Sequence, residues 1–213
     1  MTEVKMTIHQ ALAELKVLES RVNSAINNGI YCQVNIEKNN VIEGMKVKDY
    51  EDTIIRASYD KSNDLLKRIW AIKTAVNQSN AVTEIEVAGK KYTVATAIWM
   101  KQYGIDMKKA LLSNMKAQYS VCRKKADKHN ETRAEKAEKY VLEMYGNKEG
   151  KVDAKAIEED KNKHIEMNTM KILDPIDINK KIEELEAEID GFMSEIDAAL
   201  SVSNALTTIE FSY

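Results

Sequence analysis

Five residues near the middle of the chain have the types and spacing to cradle a planar anion. Arg56, Tyr59, Asn63, Trp70 and Asn77 follow one another at separations of three, four, seven and seven, so on a helix they share one side. Arginine can take a phosphate through its planar fork of donors, and aromatic rings can stack on a base or hold a cation. The plainer account of the same stripe is an amphipathic flank, with the tyrosine and tryptophan rings half buried and their polar tips wet. A second polar set is paired, since Asn80 and Thr83 recur as Asn204 and Thr207. They could form a symmetric polar site where two helices enter a sheet. As structural residues, each asparagine would end its helix in left-handed geometry and each threonine would begin a strand. Arg123, Lys124, Lys125 and Lys128 make a third candidate anion patch, opposed by the acidic last helix.

Nothing else reads as a reaction centre. His9, His129 and His164 lie far apart, and none stands at a metal-like spacing from another ligand. No Gly-rich phosphate loop, nucleophile elbow or His-Glu-x-x-His motif occurs. Cys32 and Cys122 are isolated, and Cys122 lies in line with Met115 and Tyr119, which favours burial over reactivity. The residues therefore read as a non-enzymatic protein with no metal and no cofactor.

Composition narrows the class further. One proline and seven glycines in 213 residues leave few breaks, so the elements must be long helices. Hydrophobic residues make up 44 %, enough for a core, and charged residues 31 %, with a net charge of −2. That near-neutral balance argues against a dedicated nucleic-acid binder. No apolar run of eighteen residues reads as a membrane span, and the first residues lack the apolar segment of a secretion signal. A reducing cytoplasm is the expected location.

The elements that would carry these residues are written twice. Residues 79–87, Ser-Asn-Ala-Val-Thr-Glu-Ile-Glu-Val, return at 203–211 as Ser-Asn-Ala-Leu-Thr-Thr-Ile-Glu-Phe. Residues 4–12 resemble 90–98, and 45–52 resemble 170–177, in the same order. The offset grows from 86 to about 125, which places 39 extra residues in the second copy, near 146–173. The chain thus reads as repeats 1–88 and 89–213 within one composite domain.

Each copy predicts strand, helix, helix, strand. In the first, a strand at 3–6 leads into a helix over 7–28, capped by Thr7, with Ile8, Leu12, Leu15, Leu18, Val22 and Ala25 as its apolar stripe. A polar connection over 29–48 could form a loose hairpin. A second helix over 49–79, with Ile55, Leu65, Ile69, Ile72 and Val76 inward, precedes a strand at 82–88. In the second copy a strand at 90–93 turns into a very long helix over 94–145, with a candidate break at Gly104. A charged helical stretch at 151–170 and a last helix starting at Asp174-Pro175 follow, and a strand at 206–212 closes the chain. Ile178, Ile182, Leu185, Ile189, Phe192, Ile196 and Ala199 give that last helix a heptad seam. Residues 90–139 carry a net +8 and 174–197 a net −7, which favours pairing of the two helices although each exposed pair contributes only roughly 0.2–1 kcal/mol. The expected fold is mainly α: long antiparallel, coiled-coil-like hairpins, with the four strands pooled into one small sheet. Such a bundle leaves apolar stripes uncovered, so a homo-oligomer is expected.

The helix opening Thr7-Ile8-x-x-Ala11-Leu12, the segment 79–83, the glycine turn into Lys91-Tyr92-Thr93-Val94-Ala95-Thr96-Ala97-Ile98 and the terminal Asn204-x-x-Thr207 together resemble a family of small helical bacterial and phage proteins, some described as septicolysin-like. The resemblance implies a helical coiled-coil fold with a small sheet and supplies no catalytic residues. Three functions compete. One is a phage-encoded binding protein that sequesters a small anionic, nucleotide-type ligand or a host partner. Another is a structural component of a phage particle or other scaffold. The third, membrane attack, finds no segment long enough to span and helices too evenly charged to insert.

Overall fold

Residues 3–146 and 153–213 are described by a computed structural model, and they are mainly helical. The chain forms two compact units: Met1–Tyr103 with Gly191–Tyr213, and Gly104–Asp190. The repeat boundary at 88–89 falls inside the first unit, in a hairpin turn, so repeat and compact unit divide the chain differently.

The first unit opens with β1 (Glu3–Thr7) and α1 (Ile8–Asn28). Thr7 caps α1 as its type requires: its hydroxyl accepts from the Gln10 amide at 3.2 Å, while the Gln10 side chain accepts from the Thr7 amide at 2.9 Å. A two-stranded turn, β2 (Val41–Ile42) and β3 (Met45–Lys46), is all the hairpin that the 29–48 connection forms. Glu43 and Gly44 at φ 49° and 80° supply its tight reversal. One turn of helix, α2 (Val47–Tyr50), and a π-helical turn at Glu51–Arg56 then feed α3 (Ala57–Val82). The second helix expected from 49 is therefore widened at its start, and its end lies beyond residue 79. Asn80 stays helical, with no left-handed residue there or at Asn204, because the extended Thr83 stops α3.

Next come β4 (Glu84–Val87), β5 (Lys90–Thr93), α4 (Val94–Trp99) and a π-helical turn at Met100–Gly104. Beyond Gly191 the C-terminal part of α8 (Ile178–Leu206) leads to β6 (Thr208–Ser212). The strands do not pool into one sheet. β1 pairs with β6 and β4 with β5, as separate antiparallel ribbons. Each ribbon is instead drawn onto its own helices: Ile209 of β6 lies in the core with Ile72 of α3, and Glu195 of α8 accepts the Ala88 amide at 2.7 Å. Each ribbon still takes one strand from residues 1–88 and one from residues 89–213. Their registers correspond position by position: Lys5 opposite Glu210 matches Lys91 opposite Glu86, and Met6 opposite Ile209 matches Tyr92 opposite Ile85. The Ile8 amide donates to the Thr207 carbonyl at 2.9 Å, and the Val94 amide to the Thr83 carbonyl at 2.9 Å.

The core lies between α1 and α3 under β6. Ile8, Ala11, Leu15 and Leu18 meet Ile72, Ala75, Val76 and Ile209. Leu12, expected in this stripe, is 45 % exposed, because the buried spacing runs 8, 11, 15, 18, 22 and Leu12 sits one residue round the helix. Across the same helix pair Arg68 Nε donates to Glu14 at 2.5 Å, and its guanidinium lies 4.6 Å from the centroid of the Tyr213 ring. Glu14 chiefly, and Tyr213 after it, hold the Arg68 pKa above its ordinary value. Lys5 similarly keeps the Glu210 carboxyl below its usual range through a 2.6 Å cross-strand pair.

In the second unit α5 (Ile105–Glu131) gives way at Thr132 to α6 (Arg133–Tyr145). The long helix expected over 94–145 is thus interrupted twice, by a π turn that includes Gly104 and again at Thr132, whose φ of −94° and ψ of 3° leave the helical well. α7 (Ala154–Met167) is capped by Asp153 and packs on α6, where His164 stacks on Tyr140 with centroids 4.2 Å apart. Tyr145 donates to Asp160 across the same pair, which raises the tyrosine pKa. Residues 147–152 of the expected insertion lie outside the described residues. α8 starts at Ile178 rather than at Pro175; Asp174 caps it from one turn away, accepting the Ile178 amide at 2.9 Å, while Asp177 turns through φ 55°. The opposed charges meet as expected: Lys108 pairs with Glu188 at 2.8 Å and Lys116 with Glu186, an antiparallel order. Cys122 is exposed, contrary to the burial expected from its neighbours, because Met115 and Tyr119 are themselves only half-buried on a helix with few covered positions.

Candidate anion-binding cleft

None of the residues of the stripe singled out in the sequence lines the cleft between α1 and α3. Arg56 ends the π turn, lies exposed and pairs with Asp52 at 3.4 Å. Tyr59 is 60 % and Trp70 72 % exposed, Asn63 is half-buried and Asn77 exposed. From Arg56 to Trp70 is fourteen residues, about 21 Å along a helix at about 1.5 Å per residue, too far for one small molecule. Thr83 and Thr207 sit at the two helix-to-strand junctions, half-buried with Asn80 and Asn204, and their carbonyls receive the helix starts described above.

That cleft forms one face away, where the C-terminal end of α1 meets the N-terminal end of α3. Its volume is about 580 Å³, within the ordinary range of ligand pockets. Arg21, Ser24 and Asn28 come from α1, and Ser58, Lys61 and Leu65 from α3. Both triplets are spaced three and four residues apart, so each lies on one side of its helix, and the two sides face each other. Neither Arg21 nor Lys61 has an ion-pair partner among the described residues, and no acid lines the cleft. The hydroxyls are oriented locally: Asn28 Nδ2 donates to Ser24 Oγ at 3.2 Å, and Ser58 Oγ accepts the Ile30 amide at 3.3 Å.

The cleft's end is shaped by a fold-back of the chain after α1. Tyr31 places its hydroxyl 2.9 Å from Ser62 Oγ and 3.2 Å from the Ala25 carbonyl. A Cβ at Gly29 would lie 2.6 Å from that hydroxyl and 2.8 Å from the Ala25 carbonyl oxygen, so only glycine admits this packing. Ser62 is 6 % exposed and depends on Tyr31 for its side-chain bond. Tyr31→Phe is expected to destabilise the protein by about 1–3 kcal/mol, the cost of stranding a buried hydroxyl. Urea denaturation followed by circular dichroism measures it, and a change below about 0.5 kcal/mol would show that water replaces the tyrosine.

This arrangement can bind but has no reacting pair. A guanidinium fork, an ammonium and serine hydroxyls over an apolar floor of Ala25 and Leu65 suit phosphate or carboxylate groups. Histidines and cysteines lie elsewhere: His9 and both cysteines are exposed, His164 stacks on Tyr140, and His129 has a buried Nδ1 without a hydrogen-bond partner among the described residues. Among the described residues no three His, Cys, Asp or Glu side chains group to hold a metal, and no helix is long and apolar enough to cross a membrane. Sequence reasoning missed Arg21 and Lys61 because each reads alone as a solvated helix face; the matched three-and-four spacing on successive helices was the signal. Compared with known proteins, the chain matches no family model, no curated protein and no solved structure.

Proposed function

We propose that the protein captures a small anionic ligand of nucleotide type in the cleft between α1 and α3, without catalysis. The observation that carries this reading is the convergence of Arg21 and Lys61, both lacking ion-pair partners among the described residues, on an acid-free cleft of about 580 Å³. The role is sequestration, as in a phage-encoded counter-defence sponge. A thermal-shift screen against inorganic phosphate, mononucleotides and cyclic nucleotides tests it. A ligand at about 100 times its Kd stabilises the folded state by about 2.7 kcal/mol, a shift of several degrees. No shift with any of them at millimolar concentration sinks the proposal.

The scaffold in this reading is a tandem duplication, with two helical hairpins of coiled-coil character and one strand of each copy in each ribbon. The matched registers of β1·β6 and β4·β5 support it. A specific observation favours a second reading, an assembly protein that binds copies of itself. Val82 and Leu206, the last residues of α3 and α8, occupy equivalent repeat positions and are both 77 % exposed. Two exposed apolar residues repeated at one position suit a symmetric contact. Native mass spectrometry separates the readings, since it reports subunit number and retained small molecules together.

A further inference from the structure

The β4·β5 ribbon leaves one edge open toward α8. The bond from the Val94 amide to the Thr83 carbonyl makes these two a hydrogen-bonded pair of the ribbon. Alternation then turns the backbone groups of Ile85 and Val87 toward β5 and those of Glu84 and Glu86 outward. Ala88 follows the same alternation, and its amide is the one that Glu195 of α8 takes. So the open edge faces α8, and Glu195 plugs only its last donor. Between them runs a groove of about 650 Å³. At the equivalent place α3 lies directly against β6, so the gap belongs to one copy alone.

The groove's chemistry selects its occupant. Ala198, Ala199, Val202 and Leu206 of α8 form an apolar wall, Val202 being 58 % exposed. Glu84, Glu86 and Glu195 supply three carboxylates, and no lysine or arginine lies among the described lining residues. A second copy adding its own β4 would set Glu84 and Glu86 against the same residues, and like charges directly opposite repel. We propose that this groove takes an extended peptide segment of another protein, one alternating basic and small apolar residues, as an added strand on β4. Its backbone pairs with the outward groups of Glu84 and Glu86, its apolar side chains lie on Val202 and the alanines, and its cations meet the three glutamates.

The test is binding of a fluorescein-labelled heptapeptide alternating lysine and valine to the full chain, read by fluorescence polarisation. A control of the same sequence and charge carries N-methylated lysine backbones, so the residues that would pair with Glu84 and Glu86 have no N–H to donate. Saturable binding is expected, at least tenfold weaker for the N-methylated control and at least tenfold weaker for the double variant Glu84→Gln, Glu86→Gln. Amide exchange at Glu84 and Glu86 in the unaltered protein is expected to slow when the peptide is added. Equal binding of both peptides, or unchanged exchange at those amides under saturating peptide, overturns the proposal by reducing the effect to charge alone. So does a dimer in ultracentrifugation that Val202→Arg dissociates, since a second copy would then fill the groove.

Discussion

Replacing Arg21 by alanine is expected to weaken anion binding about fivefold, and replacing Arg21 and Lys61 together about twenty-five-fold. Each cation offers a charge-assisted hydrogen bond worth about 1.5–3 kcal/mol where water is excluded. Both side chains are exposed at the cleft, so solvent screening trims each to roughly 1 kcal/mol, a factor of about five. Arg21→Lys should recover only part of the loss, because an ammonium keeps the charge but not the two-pronged geometry. The unliganded Tm should hardly move in these variants, since neither residue forms an ion pair among the described residues. Trp70→Ala supplies the contrast. Trp70 is 72 % exposed and lies outside the cleft, so its loss should leave affinity within about twofold. Isothermal titration with the strongest ligand from the thermal-shift screen reads all four variants. Full affinity in the double variant, or a large loss in Trp70→Ala, would move the site back to the exposed stripe of α3.

What could be read from the sequence, and what could not, follows from the range of the forces involved. The cap at Thr7 and the reversal at Ala88-Gly89 were legible because each depends on a few neighbouring residue types, whereas the strands expected from 82 and 206 begin only at Glu84 and Thr208, after a last stretch of helix. The pairing of α5 with α8 was legible from charge summed over whole segments, and Lys108 with Glu188 realises it. The π turns were not, because a shift to i→i+5 bonding has no side-chain signature. Nor was the break at Thr132: His129, Asn130 and Thr132 are only weak helix formers, and their small propensities do not outweigh the strong formers Arg133 to Lys136 that follow. The single pooled sheet failed for a tertiary reason, since Ile209 draws β6 into the core with α1 and α3, a packing that no local pattern announces. The cleft itself joins residues 40 positions apart, and only the packing of α1 on α3 brings Arg21 to Lys61.

Ile72→Ala and Ile196→Ala are expected to cost about 2–5 kcal/mol each, and by similar amounts. Both side chains are 0 % exposed, and they stand 124 residues apart, the offset that relates the strands following them. Removing three carbons from a filled site loses their transfer energy and adds a cavity that packed neighbours close only in part. Around Ile72 those neighbours are α1 residues such as Ala11 and Leu15, 0 % and 3 % exposed, with little room to shift inward. A total stability of about 5–15 kcal/mol makes either loss a large fraction. Ile→Val at the same positions should cost only about 0.5–1.5 kcal/mol, which separates volume from any backbone effect. Leu12→Ala, at a 45 % exposed position on the same helix, should fall well below both. Chain halves copied from one ancestor keep one core position under the same constraint twice, whereas a chance resemblance of nine residues does not extend to energetics. Urea denaturation decides between them, provided that circular dichroism and tryptophan fluorescence give coincident transitions. A cost at Ile196 below about 1 kcal/mol, beside a full cost at Ile72, would show that the two positions are not equivalent and would count against a duplication.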